Sequence, residues 1–128
     1  LRDEPVDLAE QLAALAAREG ARLTVVGQPR VLGTDPGLAV YRAAQEALTN
    51  ARKHAPGTEV SVRLDFTPET TVLVVDNGAT RTVAAGDVAG TGGGFGLRGM
   101  RERIELVGGR FRAEPTTSGW TVEIAVPA

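Results

Sequence analysis

At 128 residues the chain has the size of one domain, and its 42% hydrophobic and 23% charged content is that of a globular fold able to close a core. A net charge of −2 supplies no basic field, so no nucleic-acid partner is expected. The absence of cysteine excludes disulfides, thiolate zinc sites and cysteine nucleophiles, and no apolar run reaches the roughly 20 residues of a bilayer span.

Residues 6–19 read as a first helix. Asp7 with Glu10 three residues on forms a capping box after Pro5, Gly20 is a stop signal, and Leu8, Leu12, Leu15 and Ala16 make the apolar stripe. Residues 22–26 are a short strand, turned by Gly27, Gln28 and Pro29. Thr34 or Asp35 is the expected cap of a second helix, with Pro36 in its first turn and Pro56-Gly57 at its end. Beyond it the period changes to two. Val60, Val62, Leu64 and Phe66 alternate with polar residues, as in a strand with one buried face. Residues 71–75 are apolar on both faces and predict a central strand that ends in Asp76-Asn77-Gly78.

Residues 79–93 carry Ala, Gly and Thr with few large apolar groups, which predicts a long mobile loop. A third helix follows to about Val107, closed by Gly108-Gly109. Strands over 110–114 and 120–126 complete the chain, with Trp120, Val122, Ile124 and Val126 on one face of the last. The expected fold class is α+β, helices packed on one face of a mostly antiparallel sheet. A start at Leu1 with Met100 as the sole methionine makes a fragment of a longer protein, a single domain over 1–128, the expectation.

Three groups carry chemistry. The first lies within VYRAAQEALTNARKHA, residues 40–55. Val40, Ala44, Ala47, Leu48, Ala51 and Ala55 fall on one helical arc, fit to lie on a sheet, while Glu46, Asn50, Lys53 and His54 fall on another. A carboxylate, an amide, an ammonium and an imidazole in one row suit a metal and a polyphosphate; a solvated helix face is the alternative. Asn50 is an oxygen ligand of the kind Mg²⁺ takes while keeping most of its waters, and Glu46 could accept a proton.

The second group is Asp76. Its carboxylate can accept from an exocyclic amine, and Gly78 lets a flat ring approach the backbone, although Asp-Asn-Gly is also ordinary turn chemistry. The third is GGGFGLRG over residues 92–99, where free amides at a helix start form an anion site. Gly94, Gly96 and Gly99 also satisfy G-x-G-x-x-G, but the preceding element is a loop rather than a strand, so a dinucleotide fold is rejected. No Gly-Lys-Ser or Gly-Lys-Thr occurs, which excludes a Walker-type loop.

QEALTNARKHA, VVDNG, the Gly-rich loop and GFGLRGMRERIELVGG together resemble the N, G1 and G2 boxes of the GHKL ATPases. More narrowly, they resemble the catalytic ATP-binding domain of bacterial two-component sensor histidine kinases paired with helix-turn-helix response regulators. The resemblance covers residues 6–127. It implies a left-handed β-α-β Bergerat-type two-layer sandwich with a flexible ATP lid, and ATP with Mg²⁺ as ligands.

Residue by residue, the resemblance implies that Glu46 helps to activate the attacking group. Asn50 would ligate Mg²⁺, with Lys53 and His54 beside the phosphates. Asp76 would read adenine, with Gly78 as the first G1 glycine and Thr121 close by. Gly94, Gly96 and Leu97 would form the G2 turn.

The implied partners are an upstream helical dimerisation and phosphoacceptor domain and a response regulator. The whole protein would be a homodimer acting in the cytoplasm, membrane-anchored or not, and this fragment a monomer. Two departures stand out: Thr80 replaces the usual second G1 glycine, and the one histidine, His54, lies inside the N box, so the acceptor is missing. A non-catalytic nucleotide-binding scaffold and an anti-sigma-type serine kinase share the fold and are the alternatives.

Overall fold

The computed structural model describes residues 7–54, 57, 59–78, 97–115 and 119–127. Along these the chain runs α1 (Leu8–Glu19), β1 (Arg22–Gly27), α2 (Thr34–His54), β2 (Glu59–Phe66), β3 (Thr70–Gly78), α3 (Leu97–Leu106), β4 (Arg110–Pro115) and β5 (Gly119–Pro127). The strands form one sheet in the order β1-β2-β3-β5-β4. β1 and β2 are parallel and connected through α2, whereas the other three pairings are antiparallel. This is the mixed, mostly antiparallel sheet that the alternation of residues implied. The loop expected over 79–93, with Thr80 in it, lies outside the described residues, as do Gly94, Gly96 and the expected helix end at Pro56.

Local chemistry sets the helix ends. Asp7 Oδ1 accepts the Glu10 N–H at 3.2 Å, satisfying one of the donors that a helix start leaves over. α1 stops where Gly20 turns left-handed at φ +73° and the Ala21 N–H reaches back 2.9 Å to Ala16 O. α2 begins one residue before the sequence suggested. Thr34 is already helical, and Gly33 takes the cap position, its carbonyl accepting the Gly37 N–H at 2.9 Å. Pro36 then sits in the first turn, where no N–H is needed. α3 closes through Gly108 at φ +81°, with the Gly109 N–H on Ile104 O at 2.9 Å. A Cβ on Gly109 would stand 2.5 Å from Ala125 O, so only glycine lets this helix end lie against β5.

The helices cover one face of the sheet. Val62, Leu64 and Phe66 of β2, Leu73 and Val75 of β3, and Val122, Ile124 and Val126 of β5 are buried on that face. They pack with Leu8, Leu12 and Leu15 of α1, with Val40, Ala44, Ala47, Leu48 and Ala51 of α2, and with Met100 and Ile104 of α3. Each large aliphatic side chain so enclosed contributes about 1.5–3 kcal/mol. The small residues of α2 let its backbone approach the sheet closely. β3 is central, third of five, as expected. Its second apolar face is nevertheless uncovered: Val72 and Val74 are only half-buried, because the helices lie on the other side.

Candidate functional site

α2 carries the polar row along the flank of its apolar stripe. Glu46 is half-buried, Asn50 is buried at 8% exposure, and Lys53 is exposed. His54 is the last residue of the helix. Burial along the row rises from Glu46 to Asn50 and falls again at Lys53 within about two turns, so the row is not a fully solvated face. A buried amide is costly unless its polar atoms are engaged, and Asn50 lies beside the apolar stripe of Ala47 and Ala51. Among the described residues no three His, Cys, Asp or Glu side chains gather as a metal-binding group. A hard cation that arrives on phosphate oxygens and keeps its waters needs no such group, and the Asn50 amide oxygen is a donor of the right kind for it.

The second part of the site is the paired end of β3 and β5. Asp76 stands opposite Thr121 and Asn77 opposite Trp120, with Gly78 opposite Gly119. The Thr121 hydroxyl donates to Asp76 Oδ1 at 3.3 Å, on an exposed surface. Successive residues of a strand point to opposite faces. Asp76 therefore shares a face with Val72 and Val74, away from the helices, whereas Asn77 shares the covered face with Leu73 and Val75.

The structure brings Asp76 and Thr121 together but sets them across the sheet from Asn50. Asn77, fully enclosed, and Trp120, at 7% exposure, face the helix layer instead. The indole Nε1 of Trp120 is buried and donates to no acceptor among the described residues.

The sequence reading missed this second pair. The signal was present in the alternation of Trp120 with Val122 and Ile124, but the apolar run before Asp76 gave no parity for β3. Leu97 opens α3, where the backbone amides of a helix start are available to an anion; Arg98 beside it is exposed.

Residues 36–128 match the model of the histidine kinase-, DNA gyrase B- and HSP90-like ATPases. The chain is 33% identical over 128 residues to the nitrate/nitrite sensor protein NarQ of Escherichia coli (strain K12), covering 96% of this chain and 22% of NarQ. It is 36% identical over 93 residues to the signal transduction histidine-protein kinase/phosphatase DegS of Brevibacillus brevis, covering 70% of this chain and 23% of DegS. The chain therefore spans less than a quarter of the length of these relatives. Its fold is that of the catalytic domain of histidine kinase ThkA, with a TM-score of 0.75 at 12% identity over 99% of this chain and 98% of that one. With the N-box row on α2 inside the matched segment, the chain belongs to the histidine kinase-, DNA gyrase B- and HSP90-like ATPase family, as an ATP-binding catalytic domain of the sensor histidine kinase type.

Proposed function

We propose that this domain binds MgATP and supplies the γ-phosphoryl group to a histidine on a separate helical dimerisation domain, in two-component signalling to a response regulator. The observation that carries the reading is the Glu46–Asn50 pair, one helical turn apart, with the amide buried and the carboxylate half-exposed. Asn50 would offer its amide oxygen to Mg²⁺, and Lys53 and His54, further along the helix, would serve the phosphates. Gly94, Gly96 and Leu97 supply backbone amides for the phosphate chain. Gly78 lets the base approach the end of β3, where Asp76, Asn77, Trp120 and Thr121 meet. Bound Mg²⁺ supplies charge neutralisation on the phosphate oxygens.

In the transfer, an imidazole nitrogen of the acceptor attacks the γ-phosphorus. The bond to the bridging oxygen breaks and ADP leaves. Glu46 accepts the proton that the imidazole gives up, or holds the ring in line. The whole protein is proposed to act as a cytoplasmic-side homodimer and this domain alone as a monomer. Among the described residues no helix is long and apolar enough to cross a membrane.

Radiolabelled ATP tests the reading, first with the domain alone and then with a histidine-bearing helical domain added. Acid-labile label on the added domain only is the expected result. Label on this domain alone would make His54 an acceptor, and acid-stable label on a serine of a partner would point to a serine kinase. Binding without transfer to a competent acceptor would leave a nucleotide-binding scaffold.

A further inference from the structure

α1 ends on a residue that its own electrostatics disfavour. Glu19 stands beside the carbonyl groups that a helix end leaves unpaired, and their partial negative charge opposes a carboxylate. The side chain is nevertheless largely enclosed, at 19% exposure, because it accepts from Arg52 Nη1 on α2. One residue earlier, Arg18 Nη2 donates to the Tyr41 hydroxyl of α2 at 3.4 Å. The last turn of α1 therefore grips α2 at two points about three turns apart. That turn is itself a fixed mount. Gly20 closes it at φ +73°, and β1 enters the sheet two residues later.

At about 100° per residue, Tyr41, Leu48 and Arg52 share one arc of α2, with Leu48 buried between the two gripped positions. Glu46 and Asn50 stand roughly 120–160° round the helix from Leu48 and Arg52. Arg52 thus lies away from the groups that would meet metal and phosphate. Its side chain is 63% exposed, and ion pairs so placed add little to stability. Stability alone does not account for an acid set against the helix dipole.

We infer that the Glu19–Arg52 ion pair is a positioning contact for the metal and phosphate end of α2. The last carbonyls of α2 have no partner within the helix, so its final turn is the part most easily unwound. The pair holds that turn and sets its rotation, keeping Asn50 and Lys53 on their own arc. The inference rests on the MgATP site proposed above and adds the residues that aim it.

Glu19→Gln, Arg52→Gln and the exchange of Glu19→Arg with Arg52→Glu test it. Each is compared with the parent in MgADP titration, ADP titration in EDTA, thermal melts and urea denaturation. Either single change to Gln should weaken MgADP binding about three- to five-fold, the most that a pair of this exposure transmits. ADP without metal should lose less, because the Asn50 ligand then has no part. The urea midpoint should stay near the parental value, and the exchanged pair should recover the MgADP affinity.

The two failures are separable. Parental melts that do not move with MgADP overturn the nucleotide site and this inference with it. Melts that move, with both Gln variants binding MgADP as tightly as the parent, overturn the positioning contact alone. So does a loss that tracks a fall in urea midpoint, or one that the exchanged pair leaves uncorrected.

Discussion

The two ends of β3 both hold buried polar groups, and they use them differently. At the β2–β3 turn, Arg30 Nη2 donates to Thr67 O at 2.7 Å, to Thr70 O at 2.8 Å and to Thr71 Oγ1 at 3.2 Å. Its guanidinium lies 5.4 Å from the centre of the Phe66 ring, and the Thr67 and Thr70 hydroxyls are 2.9 Å apart. The carbonyls left over by the turn are thereby consumed. Arg30 Nε is buried there without a partner among the described residues.

At the other end the Asn77–Trp120 rung faces the helix layer with an indole donor that no acceptor among the described residues takes up. Burial of polar atoms does not mark a functional site by itself. Both ends leave a buried N–H without an acceptor among the described residues, Arg30 Nε and Trp120 Nε1, but at the turn the same guanidinium makes three further hydrogen bonds. The turn is built for stability.

That contrast makes its sharpest claim about kinetics. Glu46→Gln, on the helix above the open end, should lower phosphoryl transfer to an added acceptor domain by roughly 10²–10⁴-fold while ATP affinity and urea stability stay near parental values. An equal loss of stability would make Glu46 a structural residue and erase the distinction. Ligand binding should act on the same end: MgADP at about 100 times its dissociation constant should add roughly 2.7 kcal/mol to unfolding stability in thermal melts.

The turn should behave in the reverse way. Arg30→Ala removes the guanidinium donor of Thr67 O, while Thr70 O keeps the Thr67 N–H at 2.9 Å, and should cost about 1–2 kcal/mol in urea denaturation, with MgADP affinity of the folded fraction unchanged. A large affinity loss without destabilisation would break the comparison from that side. The smallest effect belongs to Asp76→Asn, expected to change stability by less than about 0.5 kcal/mol because its bond to Thr121 is solvent-exposed.

Much of the fold was legible in the sequence because its signals are local. Asp7 and Glu10 announce a helix start, Gly20 and Gly108-Gly109 announce ends, and the change from a period near four to a period of two separates α2 from β2. The boundary of α2 moved by a residue, since Gly33 serves as well as Thr34 at a position that asks mainly for a non-helical backbone. The Glu46–Asn50–Lys53 row was visible for the same reason. Helical spacing fixes which side chains share an arc whatever surrounds the helix.

Which residue of Asp76-Asn77-Gly78 faces the helix layer was not legible. Residues 72–75 are all apolar, so the sequence carries no alternation to set the parity of β3, and a slip of one residue exchanges the faces. The pairing with β2 and β5 settles it. Val75 meets Val62 and Val122 under the helices, and Asp76 turns outward as a consequence. The depth of Asn50 and the reach of Arg30 to Thr67, Thr70 and Thr71, some forty residues away in sequence, are likewise products of packing. The sequence determined the elements, their ends and the chemistry each could offer, because caps and periodicity act within a few residues. The tertiary structure alone decided which of that chemistry is enclosed between the layers, because facing and burial depend on partners that the chain meets only when the sheet is assembled.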